Sequence, residues 1–294
     1  MNPLNIPSPS SGTLSIGPLN LTAYGLMIAL GVVAATALAG RRLVRSHTGT
    51  RDDMSSIAIW GVIGGVIGAR AYHVVTDWEL FAGHLERIPL IWKGGLGIPG
   101  GLLGGTITGL FVARRRDVAI PGLLTAVAPA IPLAQSIGRW GNWWNQELFG
   151  RATTLPWALS ISDDKQPAGY APGTTFHPTF LYESLWNLAL CVVLLQIDRH
   201  FKLRPGRLFA LYLAGYFTGR FWIEGLRIDP AHQFAGLRLN QWVAAAVVLA
   251  SVGYLIVDRY RSRRIVDGVV DVDVEADAVA GAEVGEDGSV AQTL

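Results

Sequence analysis

Seven apolar stretches divide the chain, and each is close to the roughly 20 residues that span a bilayer as a helix. They lie at 20–40, 55–75, 94–113, 119–137, 178–197, 206–224 and 239–257. This pattern predicts an all-α polytopic membrane protein with seven transmembrane helices. We divide the chain into an N-terminal segment (1–19), a transmembrane domain (20–257) and a tail (258–294).

The basic residues lie mostly in every second connection between these stretches, and in the segment after the last. Those four segments hold 15 of the 24 Lys and Arg residues: Arg41, Arg42, Arg45, Arg51, Arg114, Arg115, Arg116, Arg199, Lys202, Arg204, Arg207, Arg259, Arg261, Arg263 and Arg264. Cytoplasmic loops are the ones enriched in Lys and Arg. We therefore expect the N-terminus outside and the C-terminus in the cytoplasm.

Composition supports a membrane location and narrows the partners. Half of the 294 residues are hydrophobic, only 16% are charged, and the mean hydropathy is +0.35. A soluble domain has about 25% charged residues. We expect membrane lipids as partners and no nucleic acid. Residues 1–20 contain no Lys or Arg, so we expect no cleavable signal peptide.

An unusual run follows the fourth stretch, and it reads GRWGNWWNQELFG (138–150). Arginine can hold a lipid phosphate by charge-assisted hydrogen bonds, and tryptophan prefers the membrane interface. Arg139 could also be a snorkelling anchor, but Asn142, Asn145 and Glu147 close by favour a headgroup site. The run opens the longest outside connection, 138–177, which predicts a small extracytoplasmic lobe.

The sixth stretch carries a second polar group. Tyr216, Arg220, Glu224 and Arg227 have offsets of 0, 4, 8 and 11, which places them on one face of a helix. Arg220 and Glu224 form an i,i+4 pair. The pair is either an anchor for the helix end or part of a functional cavity, which is the usual setting of ionisable residues in spans.

Other residues leave alternatives open. His177 is either a base or a cap before the proline that starts the fifth span. Cys191 lies in an apolar helix and suits a buried core residue better than a nucleophile. Glycines four apart in 61–68 and 97–105 predict close helix packing, and 94–105 could also leave room for a lipid.

We expect no metal and no organic cofactor, because no metal-ligand spacing, phosphate loop or nucleophile elbow is present. Residues 265–294 contain eight acidic residues, no Lys or Arg and no aromatic residue, so we expect a disordered tail.

The 138–150 run resembles the signature of bacterial prolipoprotein diacylglyceryl transferases, G-R-x-G-N-[FW]-x-N-x-E-x-x-G. The resemblance extends over nearly all of 20–257. It includes Tyr24-Gly25, the segment Gly68 to Tyr72 with Arg70, the segment His177-Pro178 with Leu181 to Glu183, and Tyr216 with Arg220 and Glu224.

The resemblance implies an activity. The family moves the diacylglyceryl group of phosphatidylglycerol to the thiol of the lipobox cysteine in prolipoproteins, and glycerol-1-phosphate leaves. Its partners would be phosphatidylglycerol and prolipoprotein signal peptides. The enzyme would lie in the bacterial plasma membrane with its active site on the extracytoplasmic side.

We carry the family's site onto matching residues as a hypothesis. Arg139 and Arg220 would clamp the phosphate, and Glu147 or His177 would be the base if one is needed. The remaining substrate-binding candidates are Tyr24, Arg70, Asn142, Asn145, Gly150, Tyr216 and Glu224. We expect Glu147 and Glu224 to hold the arginines in place.

The chain departs from the family where many members have a histidine before two glycines, because Pro99 stands there and cannot take a proton. Two other functions stay open. One is a non-enzymatic phospholipid transporter or binding scaffold of the outer leaflet, and the other is a different headgroup transferase, which would need no peptide entrance.

Overall fold

The computed structural model describes residues 5–16, 19–91, 94–201 and 203–261. Its helices of eight residues or more are α1 (Ala23–Arg45), α2 (Arg51–Thr76), α3 (Ile98–Arg115), α4 (Ile120–Val127), α5 (Ala130–Asn145), α6 (Thr179–His200), α7 (Arg207–Glu224) and α8 (Leu239–Arg261). Three antiparallel strand pairs accompany them: β1 (Thr13–Ile16) with β2 (Leu19–Thr22), β3 (Leu159–Ser160) with β4 (Thr175–Phe176), and β5 (Gln233–Phe234) with β6 (Leu237–Arg238). The predicted disordered tail lies outside the described residues.

The chain is a mostly helical membrane protein, as its hydropathy predicts. Within the described residues, α1, α2, α6 and α8 are each long and apolar enough to cross a bilayer. The pair α4 and α5 adds a fifth candidate if it is one span, bent by 42°. Helices thus occupy all seven predicted stretches, while α3 and α7, of 18 residues each, fall outside this count.

A proline and an arginine explain the bend between α4 and α5. Pro129 has no backbone N–H to donate into the preceding turn, so carbonyl groups at the end of α4 lose their helical partners. Arg42 of α1 supplies the missing donors, with Nη2 at 3.0 Å from the Thr125 carbonyl oxygen and Nε at 3.1 Å from that of Ala126. Its Nη1 also pairs with Asp198 of α6 at 3.0 Å. One side chain therefore stabilises the bend and ties three helices together.

Glycines bring α2 and α3 into direct backbone contact, which confirms the predicted close packing. A Cβ atom added to Gly68 would lie 2.3 Å from the Gly100 carbonyl oxygen. One added to Gly104 would lie 2.4 Å from the Gly64 carbonyl oxygen. The same faces of 97–105 that could have admitted a lipid are therefore covered by α2.

Helix α5 continues to Asn145, eight residues beyond its predicted end at 137. The first half of the 138–150 run is therefore helical, and only its second half belongs to the connection. Gln146 ends the helix in the left-handed region with φ 53°.

The following connection folds into a compact lobe. Its core consists of Phe149, Leu159, Ile161, Phe176 and Phe180. The N-terminal segment joins this lobe, because the Ile6 N–H donates to the Ala158 carbonyl at 2.9 Å and the Trp143 Nε1–H donates to the Pro7 carbonyl at 3.0 Å. The lobe thereby sits directly on the end of α5.

Candidate functional site

A carboxylate of α6 joins two arginines from neighbouring helices. Glu183 Oε2 lies 2.5 Å from Arg139 Nε of α5, and Glu183 Oε1 lies 3.3 Å from Arg220 Nη1 of α7. The Glu183 side chain is only 6% exposed, whereas those of Arg139 and Arg220 are 20% and 16% exposed. Each guanidinium carries five N–H donors, so both keep donors that Glu183 does not use.

The network extends from Arg220 to the loop after α7. Arg220 Nη2 lies 2.7 Å from Oε2 of the fully buried Glu224, which is the predicted i,i+4 pair. Glu224 Oε1 also accepts from Arg238 Nε at 2.8 Å. Asp229 pairs in turn with Arg227 Nε at 2.7 Å and with Arg238 Nη2 at 3.0 Å. Burial raises the pKa of Asp229, but Arg227 and Arg238 lower it further, and the net pKa lies below its usual value.

The network has a formal excess of positive charge. Its four arginines face three carboxylates. Two of those carboxylates, Glu183 and Glu224, are buried, while Arg139 and Arg220 keep an exposed edge. Because the negative groups lie inside and the incompletely used donors face outward, this arrangement suits an anion with several oxygen atoms.

Glu147 has a different environment from the one we expected. Its Oε1 accepts from Asn142 Nδ2 at 2.9 Å and from Asn145 Nδ2 at 3.3 Å. The expectation that Glu147 holds an arginine is wrong, because Glu183 does this for Arg139. Asn142 still connects the two groups, since its Oδ1 lies 3.5 Å from Arg139 Nη1.

Two predicted tyrosines line the same region. Tyr24 of α1 crosses α5 at Gly141, where an added Cβ would lie 2.5 Å from the Tyr24 ring, and the charges of Arg139 and Glu147 both act on its hydroxyl. Tyr216 lines a water-sized cavity of about 10 Å³. The other side chains around that cavity include Glu183, Asn187 and Arg220. These positions agree with a site between α1, α5, α6 and α7.

His177 lies at the edge of the lobe, and its ring is already engaged. Its Nδ1 lies 3.1 Å from the Tyr182 hydroxyl, which accepts from Trp157 Nε1 at 3.0 Å. The simplest assignment has Tyr182 donating to Nδ1, which leaves the ring proton on Nε2. Partial burial, and then the charge of Arg151, lower the pKa of His177 below its usual value. Both findings weaken its candidacy as a base.

Gly150 permits close packing between the lobe and the loop after α7. A Cβ there would lie 2.8 Å from His177 Cβ and 3.1 Å from the Leu226 carbonyl oxygen. Its N–H donates to the His177 carbonyl at 2.9 Å. The glycine predicted to bind substrate therefore has a packing role that is visible in the structure.

Arg70 organises a loop between α2 and α3. It is 8% exposed and donates to the carbonyls of Arg87, Ile88, Gly94 and Gly95 at 2.6 to 3.0 Å. Its guanidinium carbon also lies 5.0 Å from the centre of the Phe81 ring. These contacts use four of the five N–H donors, so little capacity remains for the predicted binding of substrate.

An apolar cavity of about 480 Å³ begins one helical turn from Arg139. Helices α1 to α5 line it, together with Phe209 of α7. Gln135, four residues before Arg139, is the lining residue nearest to the network in sequence. Its Nε2 donates to the Tyr212 hydroxyl at 3.1 Å, while its buried Oε1 has no partner among the described residues.

Glu183 and Arg238 are the main residues of the network to which sequence reasoning gave no role. Glu183 appeared only within the resemblance, although a carboxylate in an apolar helix is itself a signal of function. Nothing in the sequence singles out Arg238, because only the β5–β6 hairpin brings it to Glu224.

Fold and site together define a helical membrane protein with an arginine-rich site next to an apolar cavity. Comparison with known proteins gives its family. The prolipoprotein diacylglyceryl transferase family matches residues 11–257. The chain belongs to this family of transferases, which confirms the resemblance carried by the 138–150 run.

Several relatives have this activity in their names. Phosphatidylglycerol–prolipoprotein diacylglyceryl transferase 1 of Streptomyces coelicolor is 46% identical over 289 residues, which cover 97% of this chain and 81% of the relative. The transferase of Cutibacterium acnes is 46% identical over 258 residues, which cover 86% of each chain. That of Frankia alni is 48% identical over 259 residues, covering 86% of this chain and 67% of the relative. These relatives favour a transferase over a lipid transporter or scaffold.

Proposed function

We propose that this protein transfers the diacylglyceryl group of phosphatidylglycerol to the lipobox cysteine of prolipoproteins and releases glycerol-1-phosphate. One observation carries the proposal: Arg139 and Arg220 converge on Glu183 with donors to spare. A phosphodiester needs such donors, and it carries more negative charge on its oxygens once it becomes the leaving phosphate.

The phosphate would lie against the exposed edges of Arg139 and Arg220. Glu183 and Glu224 hold the two guanidinium groups in place, so little reorganisation is needed as charge develops on the phosphate. Asn142, Asn145 and Tyr24 would orient the glycerol headgroup. The acyl chains would enter the apolar cavity below Gln135, which fits the order of headgroup and chains in a phospholipid.

The chemical step breaks the bond between the glyceryl carbon and its phosphate oxygen. The cysteine sulfur forms the new bond to that carbon, the thiol proton goes to a base or to solvent, and the bonding pair leaves with glycerol-1-phosphate. Nearby arginines favour the thiolate, which is the nucleophilic form. If a protein base takes the proton, Glu147 is the better candidate, because Nδ1 of His177 is engaged and Pro99 cannot accept it.

We further propose seven spans, with α4 and α5 together forming the fourth. The basic connections would face the cytoplasm, and the lobe would lie outside. This orientation places the Arg139 end of α5 at the extracytoplasmic surface, where the lipobox cysteine of a secreted precursor would meet it.

A direct test uses the purified full-length protein in detergent, phosphatidylglycerol and a synthetic lipobox peptide. We expect the peptide to gain one diacylglyceryl unit on cysteine, measured by mass spectrometry. A matching peptide with serine in place of cysteine should gain nothing, and glycerol-1-phosphate should appear only when the cysteine peptide is present.

Other outcomes would separate the alternatives. Lipid binding by folded protein without any gain in peptide mass would favour a scaffold. Glycerol-1-phosphate release without the peptide would indicate a headgroup transferase that uses another acceptor. Full activity of an Arg139→Ala variant would contradict the phosphate clamp.

A further inference from the structure

A second apolar groove runs between α1 and α2, and it leads away from the Arg139 network. Its volume is about 630 Å³, within the range of about 300 to 1,000 Å³ typical of ligand pockets. Its walls are mostly alanine, valine and isoleucine side chains, including the exposed Val33 and Ile59. A groove of this kind on the lateral surface of a membrane protein suits an acyl chain.

Two arginines lie at one end of this groove. Arg41 of α1 and Arg51 of α2 both line it, and Thr36 and Ser55 are further polar lining residues. Arg41 lies 17 residues after Tyr24 on α1, so this end is about 25 Å along the helix from the Arg139 network. The two basic groups therefore belong to a separate site.

The guanidinium groups of Arg41 and Arg51 have no carboxylate partner among the described residues. The nearby acids are already paired, because Arg116 Nη1 lies 2.6 Å from Asp52 and 3.1 Å from Asp53. The next residue, Arg42, differs because α4 carbonyls and Asp198 use its donors. Two exposed cations next to an apolar groove complement a lipid that has a negative headgroup and a long chain.

We propose that this groove binds an anionic phospholipid of the cytoplasmic leaflet. The phosphate contacts Arg41 and Arg51, and one acyl chain lies between α1 and α2. Arginine suits this role because its planar donors match phosphate oxygens. The lipid would stabilise the packing of α1 against α2 at the level where Gly40 faces Arg51.

The test measures lipid binding by the full-length protein with native mass spectrometry. The probe is dioleoyl phosphatidylserine, which is not the donor of the proposed reaction, and dioleoyl phosphatidylcholine is the neutral comparison. Relative to wild type, we expect the Arg41→Gln/Arg51→Gln double variant to bind the serine lipid about tenfold more weakly, because each juxtamembrane charge contributes measurably. An Arg199→Gln variant, which removes a charge at the end of α6, should bind as wild type does.

A second pair of variants tests the groove without altering charge. Ala37→Phe fills the groove and should also weaken binding, whereas Ala29→Phe, on the same helix but outside the lining, should not. Any lipid held at Arg139 would remain bound in all these variants.

Unchanged binding in the folded double variant would overturn the proposal. Equal losses in Arg199→Gln would do the same, because they would indicate diffuse attraction to a basic surface. Diacylglyceryl transfer, measured in parallel, tests the proposed function separately, since serine-lipid binding at this groove does not depend on it.

Discussion

At the scale of single residues, the main result is the position of Glu183. It accepts from Arg139 on one side and Arg220 on the other, and it is nearly buried. Motif matching marked all three residues, but it could not show which carboxylate serves which arginine. The structure replaces Glu147 with Glu183 as the partner of Arg139, because α6 lies against α5 at that level.

Replacing Glu183 tests this arrangement. We expect Glu183→Gln to lower kcat/KM for peptide modification by about 100-fold or more, because both arginines lose their shared counter-charge and their fixed orientation. The assay is the rate of diacylglyceryl transfer by protein whose thermal unfolding midpoint is also measured. Glu79→Gln, in the exposed loop after α2, is the control and should keep wild-type activity. Normal turnover in Glu183→Gln would rule out this role.

His177 gives a prediction about pH. Its lowered pKa keeps the ring neutral at pH 7 in the folded protein, while the unfolded chain takes up a proton near the ordinary pKa of about 6.5. The neutral ring therefore contributes stability above that pH, and this contribution is lost as pH falls through the folded pKa. Compared with His177→Asn, we expect the wild-type unfolding midpoint to fall more steeply between pH 6.5 and 5. Parallel curves would contradict the assignment.

The same variant tests whether His177 is the base. With Nδ1 engaged by Tyr182, we expect His177→Asn to leave the shape of the pH–rate profile between pH 6.5 and 8 unchanged. Loss of a limb from that profile would restore His177 as the group that takes the thiol proton.

At the scale of helices, the hydropathy pattern located the elements well and their details less well. Helices occur at each predicted stretch, and the glycine spacing correctly indicated contact between α2 and α3. The pattern gave one stretch where the structure has the bent pair α4 and α5, and it ended α5 eight residues early. Both errors have the same cause: polar residues such as Asn142 extend a helix when other elements supply their hydrogen-bond partners.

The contact between α2 and α3 can be tested by adding single methyl groups. Gly68→Ala places a Cβ 2.3 Å from the Gly100 carbonyl oxygen, so we expect a loss of about 1 to 3 kcal/mol in unfolding free energy and a lower midpoint in detergent. Gly61→Ala is the matched control on the same helix, because its Cβ would find its nearest neighbour at 3.6 Å. Equal midpoints for the two variants would mean that the helices adjust freely.

At the scale of the whole molecule, the lobe and the bundle converge on one site. The lobe packs on the end of α5, and Gly150 places it against both His177 and the loop that contains Arg227 and Asp229. Substrates that react here must therefore approach from the membrane and from the lobe side. Charge bias along the chain predicts that this side is extracytoplasmic.

Cysteine labelling in whole cells tests that orientation. We expect a membrane-impermeant maleimide to label Asp164→Cys in the lobe of intact cells, but to label Ser46→Cys after α1 only once the cells are permeabilised. Cys191 is 3% exposed, so the unmodified protein is the blank and should stay unlabelled. The reverse labelling pattern would overturn the proposed topology.

The sequence by itself determined the membrane class, the positions of the helices and the family, because hydropathy and a dense motif are properties of consecutive residues. The tertiary structure decided which charges meet, because the Arg139–Glu183–Arg220–Glu224 network joins residues from three helices and Arg238 joins it through a hairpin. It also decided the roles of Arg70 and Gly150, whose contacts depend on segments distant in the chain. An ion pair is defined by distances of a few ångströms, and only the packing of helices sets those distances.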